Sequence, residues 1–177
     1  MDQNFLSFAN EEVGEQSLGS LVPPPGTSDT LKFSNAWNGS VEATVIQGGI
    51  EDCMDANNGS RHLKVRADDW RSGGSQVITI KGGCEDIEVS GLITTKGRVV
   101  DVDLDNYSDQ NHGASKNIRL NLRTDNGSPV TWRSLKGCRP IILNPEQRYK
   151  CQLYLPWIIG VIWDRFYQLL KLLHICA

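Results

Sequence analysis

This sequence lacks the signatures of several common function classes. Its net charge is −3 and its positive charges form no long run, so a nucleic-acid partner is not expected. The three histidines lie far apart and the five cysteines include no CxxC pair, so the sequence predicts no metal site and no cofactor. No Lys-Ser or Lys-Thr follows a Gly-Gly pair at phosphate-loop spacing, which argues against a nucleotide site.

A secretory signal is also missing, because residues 1–5 provide neither the basic nor the apolar region of a signal peptide. With an odd number of cysteines, this favours reduced thiols. Cys84 and Cys138 are expected to be small core residues and not nucleophiles, because no histidine stands at a fixed place beside either. The location stays unknown, with a virion or a cytoplasmic assembly favoured and membrane association as the alternative.

Glycine is abundant and aromatic residues are scarce. The chain has 17 glycines and 7 % aromatic residues, which suits a chain with many turns. A unit recurs in it: a small residue, any residue, a turn-former, an aliphatic residue, any residue, an aliphatic residue and a polar residue. Its copies are 84–90 and 115–121, with looser copies at 60–66 and 138–144. The first aliphatic residues of the copies are Leu63, Ile87, Ile118 and Ile141. Their spacing lies within the size range of solenoid coils.

The register and the fold have alternatives. The Gly-Gly segment 46–52 resembles 80–86, which would set a longer repeat. A competing alignment at a shorter offset stacks 100–105 on 118–123, which would pair outward Asp with outward Arg side chains. The longer coil, which the recurring unit defines, is preferred to this shorter register. It also aligns three further strands as a separate face, at 77–80, 99–104 and 130–132. An antiparallel sandwich is the other fold option, since three Asn-Gly pairs suit hairpin turns.

Over roughly residues 40–144 the repeat resembles the right-handed parallel β-helix of the pectate lyase-like superfold, whose coils carry a similar small-x-Asn-aliphatic pattern. The resemblance implies an all-β solenoid. It also implies outward carboxylates, which catalytic members use with calcium or as an acid and base pair. The residues at such places are Asp101, Asp103 and Asp105 on one strand face, followed by Tyr107 and His112 in a loop. They are candidate ligand-binding residues; the preferred interpretation is an ordinary polar surface, and no catalytic residue is assigned.

The two ends of the chain differ from the repeats. Residues 1–30 are acidic and contain Pro23-Pro24-Pro25, so they are predicted to form a flexible arm before a solenoid domain at 31–144. Residues 145–177 are predicted to contain an apolar C-terminal helix. One face of this helix would be formed by Leu155, Ile158, Ile159, Ile162, Phe166, Leu169 and Leu173. Its uninterrupted apolar run is 153–163, shorter than the roughly 20 residues that cross a bilayer. Oligomerisation, docking or capping by this helix is favoured, and membrane contact is the alternative.

These features favour a non-enzymatic structural or assembly protein attached through its terminal segments. Short β-helices occur in virion parts such as phage spikes, fibres and capsid-associated proteins, often as trimers, so self-association or a larger protein assembly is the expected partner. The first alternative is a carbohydrate-binding or polysaccharide-degrading module, either a glycoside hydrolase or a polysaccharide lyase. The second alternative is a membrane-anchored surface protein. Because these functions are suggested by the fold alone, each needs evidence from a site.

Overall fold

The protein is a parallel β-solenoid. The computed structural model describes residues 4–74, 76–97, 99–104, 113–134 and 137–152. Within these residues the strands alternate between two sheets, so that odd-numbered strands form sheet 1 and even-numbered strands form sheet 2. The strands are β1 (Leu6–Ala9), β2 (Glu12–Leu21), β3 (Leu31–Ser34), β4 (Trp37–Gln47), β5 (Met54–Asn57), β6 (Arg61–Arg71), β7 (Gln76–Ile80), β8 (Glu85–Thr94), β9 (Val100–Asp103), β10 (Arg119–Thr124), β11 (Val130–Arg133), β12 (Ile141–Ile142) and β13 (Tyr149–Gln152). Each strand pairs with the strand two places later.

Successive coils stack in the register that the recurring unit predicts, and not in the shorter register. Leu63 lies opposite Ile87, and Glu88 lies opposite Arg119, which confirms that 60–66 stacks on 84–90 and that 84–90 stacks on 115–121. The shorter register is wrong, because β10 pairs with β8 and β12 and not with β9. In the last coil Arg119 lies opposite Ile141, one position away from the predicted alignment. All strand pairings among the described residues are parallel, which rules out the antiparallel sandwich there.

The recurring sequence unit marks the corner where the chain enters sheet 2. Its third residue has a left-handed backbone, with φ between 50° and 55° at Asn38, His62, Asp86 and Asn117. Asn, Asp and His are the side chains that adopt this conformation most readily. Its first residue is small because the corner is buried, and there the Ser115 hydroxyl accepts a hydrogen bond from the Cys84 N–H at 3.2 Å. Residues 36–39 are a further copy of this corner, with Gly39 in the place of the aliphatic residue.

A second set of corners follows the strands of sheet 1. Asn10, Asn35 and Asn58 each have positive φ there. The Asn35 Nδ2 donates to Asn10 Oδ1 at 3.0 Å, and Asn58 Nδ2 donates to Ser34 Oγ at 2.8 Å. These side chains connect successive coils and satisfy polar groups that the turns leave outside the sheet.

The Gly-Gly repeat, which aligned 46–52 with 80–86, is wrong as a coil register. The Gly59 N–H donates to Gly82 O at 2.8 Å, so the Gly82-Gly83 turn stacks on the Asn58-Gly59 turn of the preceding coil. Gly49 instead stacks on Gly73, where a Cβ on Gly73 would lie only 2.3 Å from Gly49 O. The two Gly-Gly segments therefore occupy different corners, and each needs glycine for its own reason.

The hydrophobic core lies between the sheets and consists of stacked ladders. Alternating aliphatic residues of four strands or their flanks are all in it: Ile78, Ile80, Ile87, Val89, Val102, Ile118 and Leu120. Phe8 stacks on Phe33 with ring centroids 5.5 Å apart. Inside the same core the Trp70 indole N–H donates to Ser90 O at 2.9 Å, so the largest buried side chain keeps its polar group satisfied.

The flexible arm predicted for residues 1–30 is wrong for the part that forms strands. β1 pairs with β3 and β2 pairs with β4, so the solenoid begins near Leu6 and not at Leu31. Phe8 and Leu21 are buried because they continue the ladders of the following coils. Glu12 and Glu15 are exposed on β2. These two glutamates, which contributed to the prediction of an acidic arm, therefore belong to the solvated face of a strand.

The solenoid also continues past the predicted boundary at Asn144, because Tyr149–Gln152 forms β13 and pairs with β11. The predicted C-terminal helix and its apolar face lie outside the described residues, which end at Gln152. The part of the chain that the structure describes contains no helix long and apolar enough to cross a bilayer.

Charges on the outer face of sheet 2 alternate in sign from coil to coil. Lys64 lies opposite Glu88, which in turn lies opposite Arg119, and Arg61 lies opposite Glu85. Opposite charges on neighbouring strands contribute to pairing, whereas like charges would repel. This alternation leaves no continuous basic surface on the described part of this face.

Candidate functional site

The outer face of sheet 1 carries a column of polar side chains that the fold brings together from distant parts of the sequence. From coil to coil the column is Ser7, Lys32, Asp55, Thr79, Asp103, Arg133 and Gln152. Neighbouring strands lie about 4.8 Å apart, so each side chain reaches the next. Asp55, Thr79 and Asp103 are buried although they point away from the core, because their polar neighbours cover them.

A second column adds polar residues at the starts of the strands. Asp29 precedes β3, Asp52 precedes β5, and Gln76 begins β7, so the three belong to successive coils. Between the two columns lies a groove of about 390 Å³, which we call the acidic groove. Its lining consists of Asp29, Ile50, Glu51, Asp52, Asp55, Gly74, Gln76, Thr79 and Lys81.

Asp52 is the most perturbed carboxylate in the acidic groove. Its Oδ2 accepts hydrogen bonds from the Thr79 hydroxyl and from Gln76 Nε2. Its Oδ1 is buried and has no hydrogen-bond partner among the described residues. Burial raises the pKa of Asp52 to about 6 against the lowering effect of the Thr79 hydrogen bond, and the nearby charges of Asp29 and Asp55 raise it further. Half of the Asp52 side chains would therefore be protonated near that pH.

Asp55 faces the same groove and has a cationic partner on one oxygen only. Its Oδ2 lies 3.3 Å from Lys81 Nζ and accepts from Asn57 Nδ2 at 3.2 Å. Its Oδ1 is buried without a partner among the described residues. Burial raises the pKa of Asp55, and Lys81 opposes that effect. Two neighbouring carboxylates thus each keep one unsatisfied oxygen.

The sequence-predicted candidates Asp101 and Asp103 lie on β9, on the same outer face. Asp103 Oδ2 accepts from Arg133 Nη2 at 2.9 Å, and the same Nη2 lies 3.1 Å from Gln76 Oε1. Asp101 Oδ1 is buried without a partner among the described residues, and burial raises the pKa of Asp101. The pairing of Asp101 with Arg119 predicted from the shorter register is wrong, because β9 pairs with β11, where Arg133 lies opposite Asp103.

The other candidates predicted from sequence fall on residues that the structure does not describe. These are Asp105, Tyr107 and His112 of the proposed ligand loop, and the seven apolar residues of the proposed assembly helix. Asp29, Asp52 and Asp55 were missed, although a signal existed. Asp29-Thr30-Leu31 and Asp52-Cys53-Met54 share the same pattern, an aspartate followed by two residues that lead into equivalent strands.

A second, larger groove of about 670 Å³ crosses the outer face of sheet 2. In it Asp86 lies between two basic side chains: His62 Nδ1 lies 3.2 Å from its Oδ2, and Arg119 Nη1 lies 3.7 Å from its Oδ1. The His62 side chain is half exposed, and its left-handed backbone belongs to the corner motif. This cluster is explained by the fold, since each carboxylate oxygen lies beside a basic side chain of a neighbouring coil.

The buried cysteines are unsuited to nucleophilic chemistry. Burial raises the pKa of Cys84 to about 12, and burial also raises the pKa of Cys53 far above its usual range. Cys84 follows the Gly82-Gly83 corner and is a core residue, as predicted; Cys138 is also buried. No group of three or more His, Cys, Asp or Glu side chains within the described ranges is arranged to hold a metal ion.

Comparison of the chain with protein-family models, with curated proteins and with solved structures gives no match.

Proposed function

We propose that the protein is a non-enzymatic assembly component whose solenoid is attached through its C-terminal end. The observation that supports this most directly is a change of chemistry on the last strand of sheet 2. Lys64, Glu88 and Arg119 follow one another at one outward register position, and in the next coil that position is Ile141. Leu143 is exposed nearby. Two exposed aliphatic side chains replace a row of charges, which suits a covered surface.

The end of the solenoid has a second property that favours attachment. β12 and β13 are the terminal strands of the two sheets within the described residues, so one backbone edge of each lacks a strand partner there. Open edges of this kind pair readily with further polypeptide. The apolar segment 153–177 follows β13 directly in the sequence. We propose that this segment, folded as the predicted amphipathic helix, joins copies of the chain or docks it in a larger assembly.

The handedness of the coil and the kind of assembly are part of the same proposal. A right-handed coil follows from the strong preference of parallel β-crossovers for that hand. A virion component, as a spike, fibre or capsid-associated trimer, fits a short rigid coil with an attachment segment at one end. This part rests on the resemblance of the repeat to β-helices and not on a site.

The proposal is tested by measuring molar mass with light scattering for the full chain and for a chain truncated after Gln152. The expected result is an oligomer that becomes a folded species of lower mass, because truncation there keeps β13. Ile141→Asp with Leu143→Asp should lower the mass in the same way. Val22→Asp is the matched control, since Val22 and Leu143 are both 42 % exposed.

Three results would point elsewhere. A full-length chain that is already a monomer in the absence of detergent would end the self-association part of the proposal and leave docking in a larger assembly. Binding of the full chain to liposomes, with the truncated chain remaining in solution, would support a membrane-anchored surface protein instead. Unfolding of the truncated chain would mean that the segment 153–177 serves as an intramolecular cap.

A polysaccharide-acting module is the second candidate, and the carboxylates Asp101 and Asp103 on an open sheet face are the observation that favours it. We rank it lower because Asp103 is held by Arg133, and a carboxylate engaged in this way is a poor general acid or base. Pectin, alginate and bacterial polysaccharides should show no turnover. Cleavage that disappears in Asp103→Asn would reverse the ranking.

A further inference from the structure

The three Asn-Gly pairs of the sequence are Asn38-Gly39, Asn58-Gly59 and Asn126-Gly127, and a serine follows each of them. Asn-Gly is a pair in which asparagine can deamidate without an enzyme, because glycine has no side chain to hinder its backbone nitrogen from reaching the asparagine side chain. All three pairs have the same local sequence, so any difference in their reactivity is set by how firmly the fold holds each one.

Deamidation of an Asn-Gly pair needs water and no other reagent. The glycine backbone nitrogen loses its proton and forms a bond to the asparagine Cγ, and the Cγ–Nδ2 bond breaks as ammonia leaves. Water then opens the cyclic imide at either carbonyl, which gives aspartate or isoaspartate. The reaction is therefore favoured where the glycine nitrogen is free to move and the Cγ carbonyl is polarised.

Two hydrogen bonds to neighbouring coils hold the Asn58-Gly59 pair. The Gly59 N–H donates to Gly82 O at 2.8 Å, and Asn58 Nδ2 donates to Ser34 Oγ at 2.8 Å. The attacking nitrogen and the leaving amide are both engaged in this way. Both bonds must break before the imide ring can close.

The Asn38-Gly39 pair is held by strand pairing on both sides. It lies in β4, where Gly39 is opposite Gly14 of β2 and Leu63 of β6. A Cβ on Gly39 would lie only 2.3 Å from Gly14 O, so the neighbouring backbone is close. Turning the Gly39 nitrogen toward Asn38 Cγ would disrupt the ladder here.

The Asn126-Gly127 pair is exposed in the turn between β10 and β11. The Gly127 N–H donates to Thr124 O at 3.4 Å, which is longer than the roughly 2.7–3.2 Å of an ordinary hydrogen bond of this kind. The Ser128 N–H donates to Asn126 Oδ1 at 2.9 Å. A donor at this oxygen stabilises the negative charge that develops there when Cγ is attacked. The turn thus holds the nucleophile weakly and polarises the carbonyl.

We propose that Asn126 is a site of spontaneous deamidation in the folded protein, and that the fold protects Asn38 and Asn58 from the same reaction. The product places a new carboxylate beside Asp125, whose Oδ1 accepts from the Thr95 N–H at 3.1 Å and from the Thr95 hydroxyl at 2.8 Å. The modification therefore adds negative charge to a corner where two coils are joined. The proposal does not depend on the assembly function, since the reaction needs only this turn and water.

The first test compares the three pairs within one chain. The full-length protein is kept at mildly alkaline pH, folded or unfolded in urea, and is then digested with trypsin for mass spectrometry. Cleavage after Arg123 and Arg133 separates Asn126 from the other two pairs, which share the peptide 33–61 and are resolved by fragmentation.

In the folded chain Asn126 should deamidate about tenfold or more faster than Asn58, because two hydrogen bonds must first break at Asn58. In urea the three rates should converge, because the local sequences are identical. An Asn126 rate in the folded chain no higher than those of Asn38 and Asn58 would overturn the proposal. A difference that persists unchanged in urea would also overturn it, since the fold would then not be its cause.

The second test uses enzymatic methylation of isoaspartate in the aged, folded chain. Asn126→Gln should lose most of the labelling, because the longer glutamine side chain closes an imide ring much more slowly. Asn58→Gln is the matched control at another exposed Asn-Gly pair and should be labelled like the parent chain. Labelling of Asn126→Gln at the level of the parent chain would overturn the proposal, as would labelling lost in Asn58→Gln instead.

Discussion

Asp52 should make the protein less stable as pH rises, and replacing it by Asn should remove that effect. The folded-state pKa of Asp52 is about 6, above the ordinary value of 3.8. Between these two values the folded chain binds the Asp52 proton more tightly than the unfolded chain does. The stability contributed by the protonated carboxyl is therefore fully present below about pH 3.8 and is lost as pH rises through about 6.

The size of the effect follows from the same two values. A difference of one between folded and unfolded pKa values corresponds to about 1.4 kcal/mol. The step from 3.8 to about 6 at Asp52 therefore costs about 3 kcal/mol once the carboxylate is fully ionised. Asn has the same shape, can still accept from Thr79, and carries no charge. The difference in stability between Asp52→Asn and the parent chain should thus grow in favour of the variant by about 3 kcal/mol between about pH 3.5 and about pH 7.5.

Urea unfolding of both proteins across this pH range measures the difference. A part of the pH dependence remains in the variant, because burial also raises the pKa values of Asp55 and Asp101. Asp68→Asn, at an exposed carboxylate, is the control substitution. Parallel stability profiles for Asp52→Asn and the parent chain would refute the reasoning, and would mean that Asp52 is better solvated than its environment indicates.

Two further predictions concern the fold. Gly91→Ala should destabilise the protein by about 2 kcal/mol or more, because the new Cβ would lie 1.8 Å from Ala67 O and Gly91 has φ +133°. Gly127→Ala is the control and should cost less, because nothing lies within 4 Å of its Cβ. Thermal unfolding of both variants measures the difference. Deleting residues 1–21 should lower stability by about 4 kcal/mol or more, because it removes the buried Phe8 and Leu21, each worth about 1.5–3 kcal/mol. An unchanged melting temperature after the deletion would restore the interpretation of this segment as an arm.

The corner motif explains why the coil register was predictable. Its turn-formers must accept a left-handed backbone and its small residues must fit a buried corner, so few residue types are allowed at either place. His62, Asp86 and Asn117 satisfy the first requirement and Ser60, Cys84 and Ser115 the second. These local restrictions recur once per coil, so the matching positions of successive coils were visible in the sequence. The N-terminal coil was missed because Gly14 and Gly39 replace the aliphatic residue of the pattern.

The sequence by itself determined the strand periodicity and the stacking of the coils that contain 60–66, 84–90 and 115–121, because these depend on alternation and on restricted backbone positions. Only the tertiary structure decided which polar residues meet. Asp52, Gln76 and Arg133 come from three separate coils and belong to one hydrogen-bonded group. An outward position tolerates many polar residues, so no single residue there reveals its neighbours. Burial of Asp52 and Asp55 is a property of the stacked columns around them, and it exists only after the coils have formed.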